Sequence, residues 1–220
     1  YKWFPYNKGG EFRRWYGNQE NIVNWENNGD EIRNFYDEKN KLRSRPQNTE
    51  YYLKESVSWS KISSGKPAFR LFPKGFIFDV AGTSIFSPSD ELLHISLGYT
   101  NSIIVRKILE VLSPTLNFEV GHIASLPFNP QIGNIETVKL LESIARSDWN
   151  SFEISWDFTT LPLLDTEYRQ ATLADTYSNI RSHWNEMTLE MQQLEEENNR
   201  IFIEAYGLQD ELTPEVPLKE

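Results

Sequence analysis

Between Lys39 and Lys74 the chain carries nine cations, Lys39, Lys41, Arg43, Arg45, Lys54, Lys61, Lys66, Arg70 and Lys74, against two acids, Glu50 and Glu55. The chemistry open to such a set is the binding of a polyanion. Lysine ammonium groups on a polar loop suit phosphates, whereas the planar guanidinium of Arg43, Arg45 or Arg70 can make paired hydrogen bonds to guanine O6 and N7. Arg13 and Arg14 are secondary candidates in the opening segment. On charge alone, a solvated loop and strand face is an equal alternative. The local excess stands out because the 220 residues together carry a formal charge of −10. That charge is uneven, residues 1–125 having a net of +2 and residues 126–220 a net of −12. A polyanion is therefore expected to meet the first part and avoid the second.

Few other chemistries find their residues. The absence of cysteine removes disulfides and thiolate metal sites and fits a reducing cytoplasm. His94, His122 and His183 form no HxxxH or HxH pair, and Glu195, Glu196 and Glu197 read as a solvated helix face, so no metal is expected. Lys8-Gly9-Gly10 lacks the spacing of a phosphate-binding P-loop, and Gly65-Lys66 is followed by Pro67 where that motif needs Ser or Thr. No catalytic residue is assigned. Trp3, Trp15, Trp25 and Trp59 could stack on sugars, but tryptophan is more often core, and no acid pair accompanies them. The chain opens at Tyr1 without a basic-then-apolar leader and holds no apolar run near membrane-spanning length. It reads as a cytoplasmic piece of a longer protein, with no membrane contact.

The elements that must position the cations read as a mixed α+β fold. FRLFPKGFIFDVAGTSIF, residues 69–86, is the densest β-forming run. Phe69 and Leu71 lead into a turn at Pro73, Lys74 and Gly75, then Phe76, Phe78 and Val80 alternate until Gly82 breaks the run. This predicts paired, half-buried strands with Arg70 and Lys74 on or beside the face away from the core. Ahead of it lie an irregular aromatic segment, a short strand from Ile22 to Trp25, and a helix capped by Asp30. A basic loop with mobile cations from Lys39 to Asn48 and a strand from Tyr51 to Trp59 follow. Behind it come a helix from Ser87 with Gly98 as its stop, a helix from Asn101 or Ser102 to Pro114, and a helix capped by Asn134. Leu173, Tyr177, Ile180, Trp184, Met187, Met191, Leu194 and Ile201 then recur at spacings of 4, 3, 4, 3, 4, 3 and 7, a heptad seam that ends at Gly207. The seam must pack on another helix, either Ile135 to Arg146 or an element outside the chain. The expected division is a sheet domain that meets the polyanion over 1–130 and a helical region over 131–220.

Several stretches in this order resemble the C-terminal region of the adenine-specific DNA methyltransferases of BREX phage-defence systems, the PglX type. They are YNKGGEFRRWYGN, VNWENNG, FPKGFIFDVAGTSIF, LGYTNS, LSPTLNFEVGHIASLPF, DWNSFEISWDF and EEENNRIFIEAYGLQDELTPEV. The resemblance runs nearly end to end. It implies a target-recognition module like those of restriction-modification enzymes, which grips double-stranded DNA and selects the site for a methyltransferase domain upstream in the same chain. The same resemblance makes residues 1–130 the DNA-binding domain and residues 131–220 a helical spacer or docking region. Other defence-system proteins are further implied partners. S-adenosylmethionine and the NPPY-type catalytic motif would belong to that upstream domain. Here Asn129-Pro130 is followed by Gln131 and Ile132, which departs from the motif. This segment alone is therefore expected neither to bind the cofactor nor to transfer methyl groups. The competing reading, from a different class, is a protein-interaction module acting through the heptad helix.

Overall fold

The computed structural model describes residues 1–63 and 65–218; Lys219 and Glu220 of the acidic tail lie outside the described residues. Two small sheets occupy the first half. In one, β1 (Trp3–Asn7) pairs antiparallel with β3 (Asn21–Asn24) and parallel with β6 (Ile77–Phe78). The other contains β2 (Trp15–Tyr16), β4 (Ser56–Ser60), β5 (Phe69–Phe72) and β7 (Gly82–Ile85), ordered β2-β5-β4-β7, with only the β2 and β5 pair parallel. The helices among the described residues are α1 (Glu26–Arg33), α2 (Asp90–Thr100), α3 (Ile103–Leu112), α4 (Val120–Ala124), α5 (Ile135–Asn150) and α6 (Leu173–Tyr206). The fold is the mixed α+β class that the alternating and helical patterns predict.

The central run divides differently from the expected pairing. β5 and β6 enter different sheets, and the turn at Pro73 to Gly75 carries the chain across, with the Phe72 and Phe76 rings meeting edge-on at 5.1 Å. β5 lies between β2 and β4 with α2 packed against it, so it is buried throughout rather than on one face. Gly82 opens β7 instead of ending the run. A Cβ there would stand 2.5 Å from the Asn7 carbonyl, so glycine is what lets the two backbones approach. The opening segment, expected to be irregular, holds β1 and β2. Of the strand expected from Tyr51, only Ser56 onward is extended, because Thr49–Tyr51 coils into a 3-10 turn.

One core joins Trp15, Trp59, Phe69 and Leu71 of the second sheet to Leu93 and Leu97 of α2, Leu109 of α3, Leu141 of α5, and Phe202 and Ile203 of α6. It runs across residue 130. Gly98 sits inside α2 rather than stopping it. A Cβ there would come within 2.7 Å of Val138 and 2.9 Å of Asn198 Oδ1, so its absence lets α2, α5 and α6 meet.

α6 packs on α5, as its periodicity predicts, and on α3. Its seam is only partly covered: Ile180 is buried, but Leu173 is 71% and Trp184 42% exposed. Toward its end the buried residues are Glu195, Asn198, Asn199, Phe202 and Ile203. The reason is what α6 meets there. Asn198 donates to the Gly98 carbonyl at 2.9 Å, and Asn199 accepts from the Ile103 amide at 2.8 Å, one of the unpaired donors at the start of α3. Polar partners, not a continuous apolar stripe, complete this contact.

Candidate nucleic-acid interface

The basic stretch begins on an ordered hairpin. Tyr36 pairs across from Leu42, and Asp37 Oδ1 accepts from the Lys39 and Lys41 amides at 3.0 and 2.9 Å. The expected mobile loop is therefore pinned through its backbone. Its cations Lys39, Lys41, Arg43 and Arg45 are all exposed. Arg43 stands 3.8 Å from the Asp37 carboxylate, a solvent-screened pair that a phosphate can replace with little loss. Lys74 is also exposed, on a turn fastened to Leu53 by hydrogen bonds of 2.8 and 3.1 Å, next in sequence to Lys54, whose ammonium lies 4.9 Å from the Tyr51 ring centre.

The other candidates scatter. Lys61 is paired with Glu119 at 3.1 Å. Lys66 lines a separate polar crevice with Arg14 and Arg106; burial first, then the charges of Arg106 and Arg14, lower its pKa. Arg70 cannot read a groove, because it is 0% exposed. Its guanidinium donates to the Arg13 carbonyl at 3.2 Å and to Ser60 Oγ at 2.7 Å, and burial followed by the Arg13 charge lowers its pKa to about 10. The error comes from treating β5 as half-buried: an interior strand covered on both sides turns every side chain inward.

Arg13 and Arg14 are committed to the helices. Arg13 pairs with Asp148 of α5 at 2.5 Å and donates to the Tyr16 carbonyl at 2.9 Å. Arg14 pairs with Glu195 of α6 at 2.6 Å, and the same carboxylate accepts from the Trp15 indole at 2.5 Å. Glu195 is only 5% exposed, so it belongs to no solvated face. These contacts clamp the second sheet to α5 and α6.

Sequence reasoning missed a cleft of ≈ 820 Å³ that Arg45 helps to line, a size within the range of small-molecule sites. Its walls are aromatic. Tyr52 meets Phe78 at 5.0 Å, Phe78 meets Phe86 at 5.3 Å, and Phe86 meets Tyr51 at 4.9 Å between ring centres. Asp79 also lines it, with Oδ1 accepting from the Ala81 and Gly82 amides at 2.7 and 3.2 Å. Burial first and the Asp79 charge second raise the Tyr6 pKa. The residues come from separate segments, and the one sequence hint is the Tyr51-Tyr52 pair inside the basic stretch.

Among the described residues no cluster of three or more His, Cys, Asp or Glu is placed to hold a metal, and no helix is long and apolar enough to cross a membrane. No protein-family model matches the chain. The adenine-specific methyltransferase PglX of Lacticaseibacillus casei (strain Zhang) is 42% identical over 221 residues, which cover 97% of this chain and 18% of that protein. The chain corresponds to part of a PglX-type protein. Another relative, the adenine-specific methyltransferase BrxX of Escherichia coli O9:H4 (strain HS), is 33% identical over 214 residues, covering 96% of the chain and 17% of the relative. This PglX-type chain thus spans less than a fifth of the length of either protein.

Proposed function

We infer that this PglX-type segment binds double-stranded DNA and selects the site for adenine-N6 methylation by a domain elsewhere in its parent, within a cytoplasmic BREX-type phage-defence system. S-adenosylmethionine and methyl transfer belong to that other domain, so the segment alone should incorporate no methyl groups. The observation that carries the reading is the pinned hairpin with four exposed cations, Lys39, Lys41, Arg43 and Arg45, in a chain whose relatives are named as adenine-specific methyltransferases. Residues 1–130 meet the duplex, while the acidic residues 131–220 act as spacer and docking region.

The test is affinity for duplex DNA across a salt series, for the chain and for a variant with all four cations changed to Ala. Loss of four phosphate contacts lowers the dependence of log affinity on log salt by roughly 3 to 4. Identical affinities and slopes overturn the assignment. A second reading, a protein-interaction module, is favoured by the exposed Leu173, Tyr177 and Trp184 on α6. It gains if the chain fails to bind DNA and its mass rises with concentration in a way that Leu173→Lys with Tyr177→Lys abolishes.

A further inference from the structure

We propose that the aromatic cleft beside the basic hairpin receives one unpaired nucleobase that presents an amine, cytosine, adenine or guanine. The proposal rests on the DNA-binding reading and adds where a base goes when it leaves the stack. Three features converge on this ligand. Tyr51, Tyr52, Phe78 and Phe86 wall the cleft, and aromatic faces hold bases by stacking with little regard to sequence. Tyr51 is 40% exposed, so its ring can be reached from outside. Arg45 lines the cleft and Lys54 lies 4.9 Å from the Tyr51 ring centre, which supplies positive charge for the flanking phosphates.

The third feature is Asp79. A carboxylate accepts about four hydrogen bonds. The Ala81 and Gly82 amides use two, both at Oδ1, which leaves acceptor positions for an exocyclic amine. Thymine fits poorly, because its one N–H lies between two carbonyl oxygens that the carboxylate repels. An aromatic cleft with an acid also suits an alkylammonium ligand. Here Arg45, Lys54 and Arg33, which lies 5.3 Å from the Trp25 ring centre, oppose a cation. A base inside a duplex cannot reach such walls without unstacking, so the ligand is unpaired or extruded.

The test uses the chain and three end-labelled duplexes followed by fluorescence anisotropy: fully paired, with one bulged cytosine, and with one bulged thymine. The cytosine bulge should bind roughly tenfold more tightly than the paired duplex, and more tightly than the thymine bulge. Tyr51→Ala should remove the gain, read as the ratio of bulged to paired affinity. Asp79→Asn keeps an acceptor for the Ala81 and Gly82 amides; it should retain the gain but lose the preference for cytosine over thymine. Circular dichroism checks that both variants fold. No gain for the cytosine bulge overturns the proposal, as does a gain that survives Tyr51→Ala, since bulge flexibility alone would explain it. If the paired duplex does not bind but the bulge does, through Tyr51, the cleft stands and the duplex reading falls. Paired binding without any bulge gain gives the reverse.

Discussion

Glu195 is a buried carboxylate held by two donors from adjacent residues, the Arg14 guanidinium at 2.6 Å and the Trp15 indole at 2.5 Å. Both donors lose their partner if it is removed, and Arg14 is left as an uncompensated charge largely out of water. Glu195→Ala should therefore cost about 3 to 5 kcal/mol, or about 10 °C in Tm for a chain of this size. Glu195→Gln keeps an acceptor for Trp15 and should cost less. Thermal melts of both variants check this, and a loss below about 1 kcal/mol for the alanine would contradict it. Glu195 and Arg70 share a lesson: formal charge in a sequence does not say which side chains meet solvent. Lys39, Lys41, Arg43 and Arg45 are exposed on or just after a hairpin whose turn Asp37 fastens, where no strand or helix covers them.

α6 was visible in its extent because its ends are local chemistry. Thr172 accepts from the Asp175 amide at 3.1 Å, and Gly207 takes the left-handed φ of 69° that ends a helix. Which of its faces carries stability was not visible. The heptad seam makes Trp184→Glu look disruptive, yet Trp184 is half in solvent, and the change should stay within about 1 kcal/mol. Phe202 lies in the shared core, and Phe202→Ala should cost about 3 to 5 kcal/mol. Gly98→Ala forces a methyl onto Val138 where α2, α5 and α6 meet, and should cost about 1 to 3 kcal/mol. Urea unfolding of the three variants ranks them; Trp184→Glu as the most damaging would restore the seam as the packing face.

The core joins the second sheet to α2, α3, α5 and α6 and holds Tyr16 and Tyr99, while Tyr6 and Tyr52 are half-buried beside it, so these phenols titrate with global unfolding. Burial is the first cause that raises the pKa of Tyr6, Tyr16, Tyr52 and Tyr99 above the ordinary 10.0, with Asp79 adding to Tyr6 and Tyr206 to Tyr99. A raised folded pKa means that the native state keeps its protons longer. The stability from these groups is complete below pH 10 and is lost as pH rises above it. Arg70, lowered to about 10, and Lys66 and Arg106, also lowered, have the opposite sign and offset part of this loss, three groups against five phenols once Tyr168, raised first by burial, is included. Urea midpoints should fall between about pH 9 and about pH 11, less steeply in Tyr52→Phe. A midpoint that holds or rises would show that these phenols are not buried as described.

What the sequence alone determined was whatever depends on near neighbours along the chain. The Asn134 cap of α5, the end of α6 at Gly207, the alternation around Phe69 to Phe86 and the charge excess from Lys39 to Lys74 all lie within a few residues of their causes. The ordered motifs that carry the PglX-type resemblance are likewise present in the residues themselves. Only the tertiary structure decided that β5 and β6 part into different sheets, that Arg70 points inward, and that Tyr6, Tyr51, Phe78, Asp79 and Phe86 converge on one cleft. The physical reason is that strand pairing and burial are set by distant segments. Alternation marks a strand with two faces, but not which partners will cover them.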